Sequence, residues 1–174
     1  TINVSRHDLG TVGSTVADGT GHWTFDYSGT TLANGIYLFN AAASVGGSSS
    51  PYSADYAVTI DTTAPTVASI NRLTPTFATI TPSISSVVYR VTLTKQAYNV
   101  TAGAFALATT GDATGAVTGV SASSGTVFDV TVGSLGGQGD LRLEPASANG
   151  VIDAAGNPLA AGFPGGQVYT RAAV

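Results

Sequence analysis

Apolar and polar residues alternate with a period of two along most of the chain, and no segment carries the 3.6-residue spacing of an amphipathic helix. A period of two puts successive side chains on opposite faces of an extended backbone, so it predicts strands with one wet face. His22–Tyr27 places Trp23, Phe25 and Tyr27 on one side and Thr24 and Asp26 on the other. It reads as a half-buried strand after the Asp18-Gly19-Thr20-Gly21 turn. Asn34-Gly35, which tolerates positive φ, leads into the mostly apolar run Ile36–Ala43, a central strand by composition. Val45–Pro51 is a flexible loop, and Asp55–Asp61 resumes the alternation with Tyr56, Val58 and Ile60 inward.

Asp61-Thr62-Thr63-Ala64-Pro65 reads as a short semi-rigid linker, because Pro65 biases Ala64 toward an extended backbone. The expected domains are therefore 1–64 and 65–174. Past the linker, Val87, Tyr89, Val91 and Leu93 face one way while Val88, Arg90, Thr92 and Thr94 face the other, with Lys95 read as prolonging the wet side imperfectly. Further strands are expected at Ala104–Thr109, Ala116–Ser121, Thr126–Val132, Asp140–Glu144 and Gln167–Arg171, separated by glycine-containing turns such as Gly136-Gly137-Gln138-Gly139. About seven short strands at this spacing predict a β-sandwich.

Composition narrows the field. Residues are 43% hydrophobic and 9% charged, too apolar for a disordered chain. Six Lys and Arg against ten Asp and Glu leave a formal charge of −4, and the cations stand singly from Arg6 to Arg171, so no nucleic-acid partner is expected. The absence of Cys and Met removes disulfides, thiolate metal sites and cysteine nucleophiles. No run approaches the roughly 18 apolar residues of a spanning helix, so no membrane insertion is expected. Thr1-Ile2-Asn3-Val4 has neither the basic nor the apolar region of a signal peptide, and the chain is expected to be a piece of a larger secreted protein.

The segments GTGHWTFDY, LANGIYLFNAAAS and YSADYAVTIDTTAP, within about residues 1–65, resemble the C-terminal part of the bacterial Ig-like repeats of giant surface proteins and adhesins. SSVVYRVTLTKQAYNVTAGAFAL, TTGDATGAVTGVS, GQGDLRLEPASANGVIDAAGNPL and GGQVYT, within about 66–174, resemble a second β-sandwich repeat of the same class of proteins. The resemblance implies an all-β fold of two tandem Ig-like antiparallel β-sandwiches, set outside the cell or on a bacterial surface, with neighbouring repeats of the same chain as partners. Such repeats often carry an Asp-Ala-Ala-Gly-Asn loop before the last strand, whereas the first module has Ala43-Ser44-Val45-Gly46-Gly47. That departure puts any cation site of that loop in doubt there. The first module also holds five candidate strands against roughly seven for a full sandwich, so its opening strands are expected upstream of Thr1 or from a neighbour.

Candidate chemistry is sparse. His7 and His22 lack the H-E-x-x-H spacing or the third ligand of a catalytic zinc site, and no G-x-S-x-G elbow marks a serine nucleophile. Glu144, the sole Glu, alternates outward from Leu141 and Leu143 and offers no buried acid for glycoside chemistry. Asp153 and Asn157 stand four residues apart around Gly156, a candidate Ca²⁺ loop. Ca²⁺ takes six to eight oxygens, so backbone, water, Asp140 or Asp61 would have to complete the set. The alternative is a metal-free turn, since Asp, Gly and Asn all favour one. Lys95 is the sole lysine; a solvated surface residue is expected, an isopeptide bond to Asn or Asp being the alternative. Tyr27, Tyr37, Tyr52, Tyr56 and Phe39 could form a sugar-stacking platform or simply pack with their hydroxyls in water. Asn3-Val4-Ser5 and Asn99-Val100-Thr101 match the glycosylation triplet at chance level. The expected function is a non-catalytic extender; the alternative is a module binding carbohydrate or a host surface ligand.

Overall fold

In the computed structural model, which describes residues 1–172, the protein is all-β with one 3₁₀ turn at Ala102–Ala104. The chain divides into two compact units, Thr1–Thr62 and Thr63–Val174.

The first unit is one open sheet. Strands β1 (Ile2–Arg6), β2 (Gly10–Thr15), β3 (Gly35–Val45) and β5 (Tyr56–Ile60) lie in the order β2-β1-β3-β5, all antiparallel, and the short β4 (Ser48–Ser49) pairs with the end of β3. The apolar run Ile36–Ala43 is central, as its composition predicted. The register sets Val4 opposite Ala41, Arg6 opposite Phe39, and Tyr37 and Phe39 opposite Val58 and Tyr56, so these side chains share one face. His22–Tyr27, expected as a strand, is not one. It runs as a strap against that face, with Phe25 stacked on Tyr27 at 6.0 Å and Tyr27 edge-on to Phe39 at 5.6 Å. Gly13 on β2 makes room for it, since a Cβ there would stand 2.6 Å from the Phe25 ring. Among the described apolar residues of this unit only Val4 and Ala42 are buried, at 5% and 7% exposure, because no second sheet covers the face.

The second unit closes. Strands β6 (Val67–Thr74), β8 (Val87–Ala97), β10 (Thr114–Val120) and β11 (Gly125–Gly136) form a sheet in the order β10-β11-β8-β6. Strands β7 (Thr79–Ile80), β9 (Phe105–Thr109), β12 (Gly139–Pro145) and β13 (Val168–Arg171) form another, β7-β13-β12-β9, antiparallel except for the parallel pair β13/β7. Val87, Tyr89 and Val91 from β8, with Phe128, Val130 and Val132 from β11, meet Leu141 and Leu143 from β12 and Tyr169 from β13 in one continuous core. The Tyr89 hydroxyl donates to the Leu141 carbonyl across the layers at 2.5 Å. Where the β9–β10 and β11–β12 turns cross, Gly137 (φ +63°) lies so close to the Asp112 carbonyl that a Cβ would stand 1.8 Å from its oxygen. The turn expected at Gly136–Gly139 thus needs glycine for clearance as well as for φ.

Candidate functional site

Strict alternation along β8 puts odd-numbered residues inward, and Lys95 follows Val87, Tyr89, Val91 and Leu93 in that series. The expectation of a solvated lysine on the wet side is therefore corrected: Lys95 is half-buried in the inward row, one step before the buried Ala97. Its Nζ stands 2.8 Å from the Asp153 Oδ2 atom and also donates to the Thr63 carbonyl at 2.8 Å.

Asp153 sits in the loop between β12 and β13 with its side chain 2% exposed. Its Oδ1 accepts the Ala155 and Asn157 amides, both at 2.9 Å, and its Oδ2 accepts the Asn157 side-chain amide at 3.0 Å. The Lys95 ammonium foremost, then the Asn157 amide, hold the Asp153 carboxyl far below the usual carboxylate range, against the opposing effect of burial. The four-residue spacing does bring Asp153 and Asn157 together, but as acceptor and donor rather than as two oxygen ligands. The ammonium stands where a cation would. Asp140 is held elsewhere, its Oδ1 accepting the Thr170 hydroxyl at 2.7 Å on the β12–β13 ladder, and Asp61 follows β5 half-buried. Among the described residues no group of three or more His, Cys, Asp or Glu side chains gathers that could hold a metal ion. The same carboxylate is a poor proton shuttle for an amide bond between Lys95 and Asn157, because activation requires an acid that is protonated near neutral pH.

The aromatics of the first unit divide. Tyr27 and Phe39 join Phe25 and Trp23 along an open apolar trough of about 570 Å³ over β1, β3 and β5. Tyr37 instead faces Arg6, whose guanidinium lies 5.1 Å from its ring and 5.9 Å from that of Tyr27 while Nε bonds Asp8 at 2.6 Å. Tyr52 and Tyr56 are exposed. Two polar side chains of the trough are engaged: the Asn40 side-chain NH2 donates to Asp55 and contacts His7, both at 3.1 Å, and the Ser53 hydroxyl donates to the Ala54 carbonyl while accepting the Ala41 amide. His7 pairs with Asp55 at 2.9 Å, whereas His22 belongs to the separate Asp18 turn, so the two histidines act in different hydrogen-bonded groups. Sequence reading missed the strap-and-trough arrangement and the Lys95–Asp153 pair. Parity along β8 was a signal for the second.

No family model matches the chain, and no curated protein sequence matches it. Among solved structures it is similar to the crystal structure of domains 4 and 5 of the S-layer protein SbsC, at 13% identity, over 100% of this chain and 98% of that one, with a TM-score of 0.35. A likeness of that size fixes neither fold nor function.

Proposed function

We propose that the chain is a non-catalytic structural module of a large bacterial surface or secreted, adhesin-like protein, holding a distal binding element away from the cell. The observation that carries this reading is the parallel pairing of β13 with β7. Thr170 and Arg171 lie beside Thr79 and Ile80, and the ladder is extended by Thr170 N–H to Ala78 O at 2.9 Å and Ala172 N–H to Ile80 O at 3.0 Å. A pull on the chain beyond Arg171 against a pull on the segment before β6 loads these bonds side by side instead of opening them one at a time. Three ion pairs tie charged groups of the second unit to one another, which also supports a structural role: Arg90 with Asp129, Arg142 with Glu144, Lys95 with Asp153. Sugar binding gains no such support, because the Asn40 side-chain NH2 and the Ser53 hydroxyl beside the aromatic trough are already engaged.

Single-molecule pulling of the whole chain between marker domains tests the proposal. The second unit should yield in one event, releasing about 40 nm from roughly 110 residues at ~3.6 Å each. That event should need more force than unfolding of the first unit. Gradual extension without a discrete event, or yielding below the force for the first unit, would contradict it.

A further inference from the structure

We propose that the trough of the first unit is a β-strand acceptor, taking one extended segment of another polypeptide whose alternate side chains are apolar and uncharged. The strap carries the first argument. His22–Tyr27 has the alternation of a strand, yet among the described residues Trp23, Thr24, Phe25 and Asp26 make no main-chain to main-chain hydrogen bond. They form a row of main-chain donors and acceptors without a ladder, lying over a sheet that has no second layer among the described residues. Such a row pairs with another extended backbone.

The trough carries the second argument. Its floor is Val4, Phe39, Ala41 and Val58, its far rim Tyr56, and no charged side chain lines it. A neutral lining is matched by neutral residues, since burying an unpaired charge there is costly. The Asn40 side-chain NH2 and the Ser53 hydroxyl are engaged, which removes two of the groups that could recognise sugar hydroxyls. An incoming strand would meet both needs at once: its backbone would satisfy the strap and its alternate side chains would fill the trough, giving the sheet the second layer it lacks. This proposal stands independently of the load-bearing role proposed for the second unit.

The test uses the full chain and Trp23, its sole tryptophan, which lines the trough at 42% exposure. The probe is an acetylated, amidated eight-residue peptide of alternating Thr and Val; the control has the same composition as a block of Val followed by a block of Thr. The alternating peptide should produce a saturable blue shift of Trp23 emission and slow exchange of the Trp23–Asp26 amides by about tenfold or more. Tyr56→Lys, a charge placed at an exposed rim position, should weaken the shift at least tenfold while the melting of the second unit stays unchanged. The proposal is overturned by an equal shift with the block peptide or by no shift up to millimolar concentration. A shift produced by maltoheptaose instead, or one that rises with protein concentration alone and tracks a dimer mass, overturns it equally.

Discussion

Replacing Tyr89 by Phe removes one oxygen from the centre of the second unit and leaves its ring contacts in place. Tyr89 is fully buried on β8, meets Tyr169 edge-on at 5.1 Å, and its hydroxyl bonds the Leu141 carbonyl of the opposite layer. A bond of this kind is worth about 0.5–1.5 kcal/mol net, and leaving a buried carbonyl short of a partner brings the loss to about 1–3 kcal/mol. We expect about 2 kcal/mol, which for a unit of roughly 110 residues lowers Tm by about 8 °C. Alkaline behaviour should change too. Burial pushes both phenols up from 10.0, Tyr169 to about 12 and Tyr89 strongly in the same direction. A raised phenol pKa means the folded state favours the neutral form, so this stability is fully present below pH 10 and lost as pH rises through the folded values. Removing one of the two groups should make the decline above pH 10 shallower. Calorimetry on parent and variant at pH 7, 9 and 11 reads both effects. A variant as stable as the parent at pH 7, with the same alkaline decline, would refute the claim that this hydroxyl ties the layers together.

Lys95→Met leaves the Asp153 carboxylate buried beside two amides and a side-chain donor but without its counter-charge, so Tm at pH 7 should fall. The Asp153 carboxyl is depressed in the folded state, so its stabilisation is present above the ordinary value of 3.8 and lost as pH falls toward the folded one; in the variant that acid-limb loss should shrink, as read by melting between pH 2 and 7. Because the ammonium fills the cation position, EDTA or millimolar Ca²⁺ should leave the melting of the second unit unchanged; a Ca²⁺-dependent rise would restore the metal-loop reading. Gly137→Ala forces a Cβ against the Asp112 carbonyl and should cost more than about 3 kcal/mol, if the unit folds at all. Gly156→Ala, at φ +86° with open space around it, should cost only about 1–2 kcal/mol by urea denaturation, so equal costs would undercut the clearance argument.

The second unit was largely legible in its pattern, because a closed sandwich enforces alternation: every second residue of β8, β11 and β12 meets the opposite layer. The turn at Gly136–Gly139 was legible too, although only the crossing of two turns explains why its glycines cannot carry a Cβ. Lys95 was misassigned for a reason that parity makes plain. A lysine's charge suggests a place in water, yet the strand's period sends Lys95 inward to a carboxylate nearly sixty positions away, and pairings at that separation leave no local trace. The first unit was harder. Ile2–Arg6 and Gly10–Thr15 are strands with few apolar residues; the first pairs with β3 and the second only with the first, so ladder hydrogen bonds more than an apolar pattern define them. His22–Tyr27 has the side-chain alternation of a strand but not the partner, and period reports side chains, not hydrogen bonds.

The second unit owns a closed core, while the first is a single layer with its apolar face open. Native-state hydrogen exchange, resolved residue by residue on the whole chain, tests it most directly. Amides of β8, β11 and β12 should exchange slowest, at the free energy of global unfolding of their unit, and amides of β1 and β3 at least a hundredfold faster. Protection of β3 equal to that of β8, in the chain alone, would contradict it.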